Sequence, residues 1–255
     1  MARWTTGRTR GSARSLVDRR TRLISARAAR RVATVAVLAA AATAALGWRY
    51  AGDTDGGRAD RELTGLLHLP QGFPRIVGYG FSTLGGPGPV VVALVVLAPL
   101  AWGLRGGRGL ALVLVGPPTA MVTTSLVLKP LIERTRGGEL AFPSGHATSV
   151  TSIALTSAIL VLGLTTIPRV LRRVAVGGLA GLVLAVCASL IGRNIHYPTD
   201  TLGAVGVSVS VVLVSALVVD AWADLLADPG SDTAREAQDR PTDVLPRIRG
   251  AATAG

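Results

Sequence analysis

Two short stretches of the chain hold residue types that suit phosphate chemistry. The first runs from Lys129 to His146, contains Arg134 and Arg136, and ends in the sequence Phe-Pro-Ser-Gly-His. The second, further along the chain, contains Ser189, Arg193, His196 and Asp200. Two of the three histidines of the chain therefore stand among cations and one carboxylate.

These residue types can bind a phosphoryl group and transfer it. Lysine and arginine bind dianionic oxyanions, arginine through a bidentate fork. Ser144 and Gly145 precede an apolar run, and the free N–H groups of a helix that begins there favour phosphate. One histidine can attack phosphorus while the other protonates the leaving oxygen. Asp200, four residues after His196, can accept its ring N–H and fix the tautomer. The alternative is that basic and histidine side chains gather at a membrane interface by snorkelling.

The rest of the chain has the composition of a membrane protein. Of its 255 residues, 49% are apolar and 16% charged, with a mean hydropathy of +0.47, against about 25% charged in a soluble domain. A single cysteine, Cys187, excludes an internal disulfide and a cysteine-based zinc site. The net charge of +12 does not indicate nucleic acid, because ten of the 27 basic residues fall in Met1–Arg31 and long uncharged stretches follow.

Six stretches are long and apolar enough to cross a bilayer, for which about 20 residues are needed. They are Val32–Trp48, Pro89–Leu104, Gly109–Leu128, Ala147–Leu164, Val174–Ile191 and Thr201–Trp222. The sequence therefore predicts an all-α fold, a six-transmembrane-helix bundle over residues 32–223. The polar tails, residues 1–31 and 224–255, are both predicted to be disordered.

The distribution of basic residues predicts the orientation in the cell membrane. With both termini in the cytoplasm, the inner segments hold 19 of the 27 basic residues and the outer segments hold 8. Arg19–Arg20 allow a twin-arginine export signal as an alternative, but Val32–Trp48 is long enough to remain as an anchor. Two spans separate the two polar stretches, so both lie on the same face, here the exterior.

The spacing of the polar residues resembles the three-part signature of the type 2 phosphatidic acid phosphatase superfamily. That superfamily also includes bacterial acid phosphatases and vanadium haloperoxidases. Lys129 and Arg136 match K-x6-R, residues 143–146 match P-S-G-H, and His196 with Asp200 matches H-x3-D. Each motif alone is weak, but the ordered trio at the mouths of predicted spans is specific.

The resemblance implies a role for each matching residue. His196 would be the nucleophile that forms a phosphohistidine, Asp200 would orient it, and His146 would be the general acid for the leaving group. The residues that would bind the phosphoryl oxygens are Lys129, Arg136, Ser144 and Gly145. The resemblance implies no metal and no other cofactor.

The chain departs from the family signature at two positions. Gly137 stands where the first motif usually has proline, and Leu190, after Ser189, stands where the third motif usually has arginine. On a helix, Arg193 lies about 60° around the axis from Leu190 and roughly 4.5 Å further along. We therefore predict Arg193 as the substitute phosphate ligand; the alternative is an interfacial arginine without a partner.

The resemblance implies a metal-independent lipid phosphate phosphatase, a phosphoric monoester or diphosphate hydrolase acting at the outer leaflet. Its expected partners are the bilayer and a membrane lipid phosphate, with no nucleic acid. Phosphatidate, phosphatidylglycerophosphate and polyprenyl phosphates or diphosphates all fit, and the sequence does not choose among them or set an oligomeric state. Leu190 favours a non-catalytic relative that binds or transports lipid phosphates as the main alternative. A phosphotransferase is a further alternative. A haloperoxidase is not expected, because the haloperoxidases of the superfamily are large soluble proteins.

Overall fold

The protein is described by a computed structural model that covers residues 22–226 and is almost entirely helical. The elements in chain order are α1 (Ala26–Arg49), α2 (Arg58–Leu67), α3 (Phe73–Thr83), α4 (Pro87–Val122), a π-helical segment (Thr123–Leu128), α5 (Lys129–Ile132), β1 (Thr135–Arg136), β2 (Glu139–Leu140), α6 (Gly145–Leu162), α7 (Arg169–Gly192) and α8 (Pro198–Leu226). The two short strands pair antiparallel, with Thr135 opposite Leu140.

Within residues 22–226, five helical segments are long and apolar enough to cross a membrane. Four are α1, α6, α7 and α8, and the fifth is the continuous segment Pro87–Ile132, which has 46 residues. A straight helix of that length would measure about 69 Å, more than twice the roughly 30 Å of bilayer hydrocarbon. The all-helical membrane fold is therefore as expected, and the count of six spans depends on how this segment is divided.

The long segment folds back on itself at Gly106. This glycine has a φ of 59° and a ψ of −146°, which ends one helix and starts another inside α4; residues without a Cβ adopt such angles readily. A Cβ on Gly109 would lie 2.6 Å from the carbonyl oxygen of Ala101, although eight residues of straight helix would separate them by about 12 Å. The halves on either side of Gly106 correspond to two of the six predicted spans.

A polar network joins the two described ends of the chain at one end of the bundle. The carboxylate of Asp220 on α8 accepts backbone hydrogen bonds from Leu23 at 2.9 Å and Ile24 at 2.8 Å. Arg105, at the Gly106 turn, donates to the carbonyl oxygen of Gly163 at 2.8 Å. The end of α6, the turn inside α4 and both described termini therefore lie together, opposite the start of α6.

The ordered domain is longer than the sequence predicts. Residues 22–31, expected in a disordered tail, include the buried Leu23 and the start of α1 at Ala26, because Asp220 fixes the backbone before the helix. At the other end α8 continues to Leu226, past the expected boundary at 223. Residues 1–21 and 227–255, where the rest of the predicted tails falls, lie outside the described residues.

The connection between α1 and α4 contains two helices that the span analysis did not predict. The backbone N–H of Leu69, between α2 and α3, donates to the carbonyl oxygen of Gly192 at 3.0 Å. The side chain of Leu69 fills the space left by Gly78 and Gly192, which lack a Cβ. Helices α2 and α3 are thereby fixed against the last turn of α7, at the end of the bundle where α6 begins.

Candidate functional site

A cleft of about 220 Å³ opens where the short hairpin, the start of α6 and the connection between α7 and α8 meet. We call it the histidine cleft; its lining is Lys129, Arg136, Glu139, Leu140, Ala141, Gly145, His146, Ile195 and His196. Five residues predicted from the sequence, Lys129, Arg136, Gly145, His146 and His196, therefore share one cavity.

Ser144 lies behind the histidine cleft and joins two of the motifs. It is buried and forms the N-cap of α6, where its Oγ accepts the backbone N–H of Ala147 at 3.4 Å, a position that serine favours. Its own backbone N–H donates to the carbonyl oxygen of Asp200 at 3.1 Å. The predicted serine thus positions the start of α6, whose N–H groups and dipole face the cleft at Gly145.

The segment before Ser144 is anchored by Phe142. This ring is fully buried between α1 and α8, and the Phe142–Pro143 peptide bond is cis. A Cβ on Gly203 of α8 would lie 2.5 Å from two ring carbons of Phe142, and one on Gly47 of α1 would lie 3.5 Å from a third. The absence of side chains at these two glycines therefore fixes the approach of the loop to the cleft.

His196 and Asp200 are close but not hydrogen bonded. Nδ1 of His196 lies 3.6 Å from Oδ2 of Asp200, beyond ordinary hydrogen-bond length, and this buried Nδ1 has no hydrogen-bond partner. Oδ2 instead accepts the backbone N–H of Tyr197 at 2.9 Å. In substrate-free sites such contacts are often long and tighten when substrate binds, so the geometry suits an orienting carboxylate.

Arg134 has a different place from the one the sequence suggests. It was grouped with the phosphate ligands, but it is fully buried and does not line the histidine cleft. One guanidinium nitrogen donates to Asp200 Oδ1 at 2.7 Å and to Thr199 Oγ1 at 2.6 Å. The other donates to Asp60 Oδ2 at 2.7 Å. The positive charge of Arg134 is therefore paired with the carboxylates of Asp60 and Asp200.

Asp60, on α2, is the residue that the sequence analysis missed. It is fully buried, and besides Arg134 it accepts hydrogen bonds from the backbone N–H of Thr199 at 3.0 Å and from its Oγ1 at 2.8 Å. Burial disfavours the charged carboxylate, but the hydrogen bonds from Arg134 and Thr199 outweigh it and hold the pKa of Asp60 below its ordinary 3.8. In the sequence this acid stands between Arg58 and Arg61 in a polar connection, with no motif around it.

Two cations of the histidine cleft have donor capacity left for a ligand. Arg136 lies over the ring of Tyr197, 3.8 Å from its centroid, and donates to Oδ1 of Asn194. Its Nη1 is buried without a hydrogen-bond partner. Lys129 Nζ donates to the carbonyl oxygen of Leu140 at 2.8 Å, which leaves two of its three N–H groups. Among the described residues, Glu139 is the only acid in the cleft lining.

Leu190 and Arg193 lie outside the histidine cleft. Leu190, 1% exposed, packs in an apolar cluster with Ala147, Val186 and Ala204. Arg193 donates to Ser82 Oγ and lies 4.8 Å from the ring centroid of Tyr79 on α3. Arg193 therefore does not line the histidine cleft, although its charge is near enough to act on His146.

A larger cleft, of about 400 Å³, lies at the opposite end of the bundle. Aliphatic residues such as Ile24, Val32 and Ile159 form most of its lining, and its polar side chains include Arg22, Arg105 and the hydroxyl of Ser25. None of the described residues of this lining is a histidine or a predicted site residue, so the smaller histidine cleft is the candidate site.

Part of the chain is similar to a known protein family. Residues 110–224, which contain every residue predicted for the site, match the model of the PAP2 superfamily. Over that part of its length the chain is similar to the type 2 phosphatidic acid phosphatase superfamily.

A solved structure shares the fold. It is described as the first transmembrane PAP2 type phosphatidylglycerolphosphate phosphatase from Bacillus subtilis, and it aligns with a TM-score of 0.57 at 19% identity. The alignment covers 78% of this chain and 98% of that one. No curated protein matches the sequence. The chain thus shares its fold with a transmembrane PAP2 type protein, and its long apolar helices are those of a multi-pass membrane protein.

Proposed function

We propose that the protein is an integral-membrane phosphohydrolase that removes phosphate from a lipid phosphate or diphosphate through a phosphohistidine. The observation that carries the proposal is the lining of the histidine cleft, where His146, His196, Lys129 and Arg136 share one cavity of about 220 Å³. Asp200 lies directly behind His196. The similarity of residues 110–224 to the PAP2 superfamily supports the same activity.

The cleft has the groups needed to bind a phosphoryl dianion. Lys129 and Arg136 supply charge-assisted hydrogen bonds from one side. The free N–H groups at the start of α6, at Gly145 and His146, supply donors from the other, with the helix dipole behind them. Ser144 serves as the cap that sets their direction. These donors also stabilise the charge that develops on the equatorial oxygens during transfer.

The two histidines divide the covalent steps between them. Nε2 of His196 attacks phosphorus while Nδ1 faces Asp200, the bond from phosphorus to the leaving oxygen breaks, and His146 gives that oxygen its proton. In the second half, His146 takes a proton from water, the water oxygen attacks phosphorus, and the P–N bond to His196 breaks. Inorganic phosphate then leaves, and both histidines return to their starting states. The scheme requires no metal ion.

The proposed orientation places the histidine cleft at the outer face. The described termini lie at the opposite end of the bundle, and that end carries many of the basic residues. They are Arg22, Arg27, Arg30, Arg31, Arg105, Arg108, Arg169, Arg172 and Arg173. Basic residues favour the cytoplasmic side. A lipid in the outer leaflet then presents its phosphate at the depth of the cleft.

The proposal is tested by phosphate release from a panel of lipid phosphates, using the purified full-length protein with and without EDTA. We expect His196→Ala to lose turnover by several powers of ten, since it removes the nucleophile. The matched control is His68→Ala, which changes an exposed histidine outside the cleft and is expected to keep wild-type activity. Normal turnover by His196→Ala, or a strict requirement for added magnesium, would refute the mechanism.

A non-catalytic lipid-phosphate-binding or transporting relative is the second candidate. The observation that favours it is Leu190, whose buried side chain leaves the family's arginine position without charge. Binding of lipid phosphates without phosphate release from any member of the panel would select this candidate.

A further inference from the structure

A second cleft, of about 270 Å³, lies between α3 and the end of α7. We call it the arginine cleft; its lining is Gln71, Gly72, Arg75, Ile76, Tyr79 and Arg193. Among the described residues, two arginines and no acid line it, so its charge favours an anion. It shares no lining residue with the histidine cleft, so an anion bound here is separate from the phosphoryl group that reacts.

Arg193 is held in place with one edge of its guanidinium unused. A Cβ on Gly78 would lie 3.6 Å from Cγ and Cδ of Arg193, so the arginine stem packs closely against α3. Nη1 donates to Oγ of Ser82, and the guanidinium lies over the ring of Tyr79. Within residues 22–226, the buried Nε has no hydrogen-bond partner and Nη2 donates to no residue. Nε and Nη2 form one edge of the guanidinium, and such an edge binds a phosphate through two parallel N–H groups.

Arg75 and the start of α3 supply further donors to the arginine cleft. Arg75 is half-buried and makes no hydrogen bond or ion pair with another residue of the described range. Helix α3 begins at Phe73, next to the lining residue Gly72, which is its N-cap and has no side chain to cap it. The first turn of the helix contains no acid. Its free N–H groups and its dipole therefore favour an anion at the same place as the two arginines.

The surface beside the arginine cleft suits contact with the acyl chains of a lipid. Phe73 and Ile76 on α3 are 77% and 69% exposed, and Ile76 itself lines the cleft. Leu66 on the neighbouring α2 is 81% exposed. Helices with exposed apolar residues and a basic polar face lie at membrane interfaces. A lipid therefore fits this cleft better than a free anion does, with its headgroup against the arginines and its chains in the bilayer.

We propose that the arginine cleft binds the headgroup of an anionic phosphodiester lipid of the surrounding leaflet, a lipid that is not the substrate. A zwitterionic headgroup also carries a phosphate, but its ammonium group would meet two arginines and, among the described lining residues, no acid. The bound lipid joins α3 to the end of α7. The turn after α3 lies against the backbone of His146, since a Cβ on Gly85 would be 2.5 Å from the carbonyl oxygen of that histidine. The lipid therefore stabilises one wall of the histidine cleft without entering it.

The experiment measures the Tm of the purified full-length protein in neutral detergent by differential scanning fluorimetry. Dioleoyl phosphatidylglycerol or dioleoyl phosphatidylcholine is added at the same mole fraction; both are phosphodiesters, and only the first is anionic. The test variants are Arg75→Gln and Arg193→Gln. The control is Arg58→Gln, which changes an exposed arginine on α2 outside both clefts.

In wild type we expect the Tm in phosphatidylglycerol to exceed the Tm in phosphatidylcholine by about 3 °C or more, because a ligand that binds only the folded state stabilises it. Arg75→Gln and Arg193→Gln should each lose most of this difference, and Arg58→Gln should keep it. An unchanged difference in Arg75→Gln would overturn the inference. So would an equal loss in Arg58→Gln, which would indicate a general charge effect. Glycerophosphoglycerol, the same headgroup without acyl chains, should give no rise at the same concentration, and a rise equal to that of the lipid would show that the cleft binds a free anion instead.

Two further measurements make the result independent of phosphatase activity and of any arginine variant. His196→Ala should show the same Tm difference between the two lipids as wild type, and its loss would place the lipid in the histidine cleft and overturn the inference. Photolabelling uses wild type alone, with a phosphatidylglycerol analogue that carries a diazirine on its headgroup. The label should attach to residues 71–79 or beside Arg193 at the end of α7. Attachment confined to other segments would overturn the inference.

Discussion

Asp60 and Arg134 form a fully buried ion pair, 2.7 Å between Oδ2 and a guanidinium nitrogen, across 74 residues of chain. The other guanidinium nitrogen holds Asp200, also at 2.7 Å. An acid of the first connection is thereby linked through one rigid guanidinium to the carboxylate behind His196. Replacing a buried pair by apolar residues is often neutral, whereas removing one partner costs about 3–5 kcal/mol, because an uncompensated charge stays buried.

Asp60→Asn is expected to lower kcat. Without the Asp60 carboxylate the guanidinium of Arg134 is held less firmly, so it orients Asp200 behind His196 less well. We expect kcat to fall about tenfold, the size of one lost charge-assisted hydrogen bond, measured as phosphate release in one detergent. The control is Asp53→Asn, since Asp53 is a more exposed acid of the same connection. An unchanged kcat in a folded Asp60→Asn protein would contradict the link.

Asp60 should also contribute to acid sensitivity of the fold. Its pKa is lower in the folded protein than the ordinary 3.8, so its stabilisation is complete above that value and is lost as the pH falls through the lower folded pKa. We expect the Tm difference between wild type and Asp60→Asn, measured by differential scanning fluorimetry in detergent, to shrink in that acidic range. A difference that stays constant would show that the carboxylate charge contributes nothing.

Gly203→Ala should displace the loop before α6 and with it the start of the helix that carries His146. The new Cβ would lie 2.5 Å from two ring carbons of Phe142, and overpacking of this kind costs about 1–3 kcal/mol. We expect a lower Tm and a lower kcat. Phe142→Leu in the same protein should recover part of both, because it relieves the clash. Gly177→Ala, where a Cβ meets nothing within 4 Å, is the control and should change neither measurement.

His146→Ala should separate the two halves of the proposed reaction. A substrate with a good leaving group, such as p-nitrophenyl phosphate, needs no general acid, so phosphorylation of His196 should continue. Hydrolysis of the phosphohistidine then lacks its base, and acid-labile phosphate should accumulate on the protein. No labelling is expected in the double variant that also carries His196→Ala. Labelling that persists there would place the phosphate on another residue.

Membrane orientation can be tested by cysteine labelling of intact cells. In a Cys187→Ala background, Gly65→Cys should react with an impermeant maleimide. Gly65 is on α2, at the same end of the bundle as the histidine cleft, and a Cβ there meets nothing within 4 Å. Thr165→Cys, exposed between α6 and α7, should react only after permeabilisation. The reverse pattern would place the histidine cleft in the cytoplasm.

The sequence by itself determined the membrane character, the positions of the long apolar helices and the residues that share the histidine cleft. The thickness of the bilayer sets the length of a spanning helix, so such helices can be found from runs of about 20 consecutive apolar residues without knowledge of the tertiary structure. Because two spans separate the P-S-G-H motif from His196, simple parity placed them at one end of the bundle. The family signature then predicted that Lys129 and Arg136 lie close to Gly145, His146 and His196. All five residues line the histidine cleft.

Only the tertiary structure decided which cations face the histidine cleft. Arg134 and Arg136 are two residues apart, yet one is buried against Asp60 and Asp200 while the other lines the cleft. The guanidinium of Arg193 contacts Ser82 and Tyr79 on α3. Helix α3 is not one of the apolar spans predicted from the sequence. Side-chain direction depends on partners far away in the chain, and a spacing rule along one helix contains no information about them.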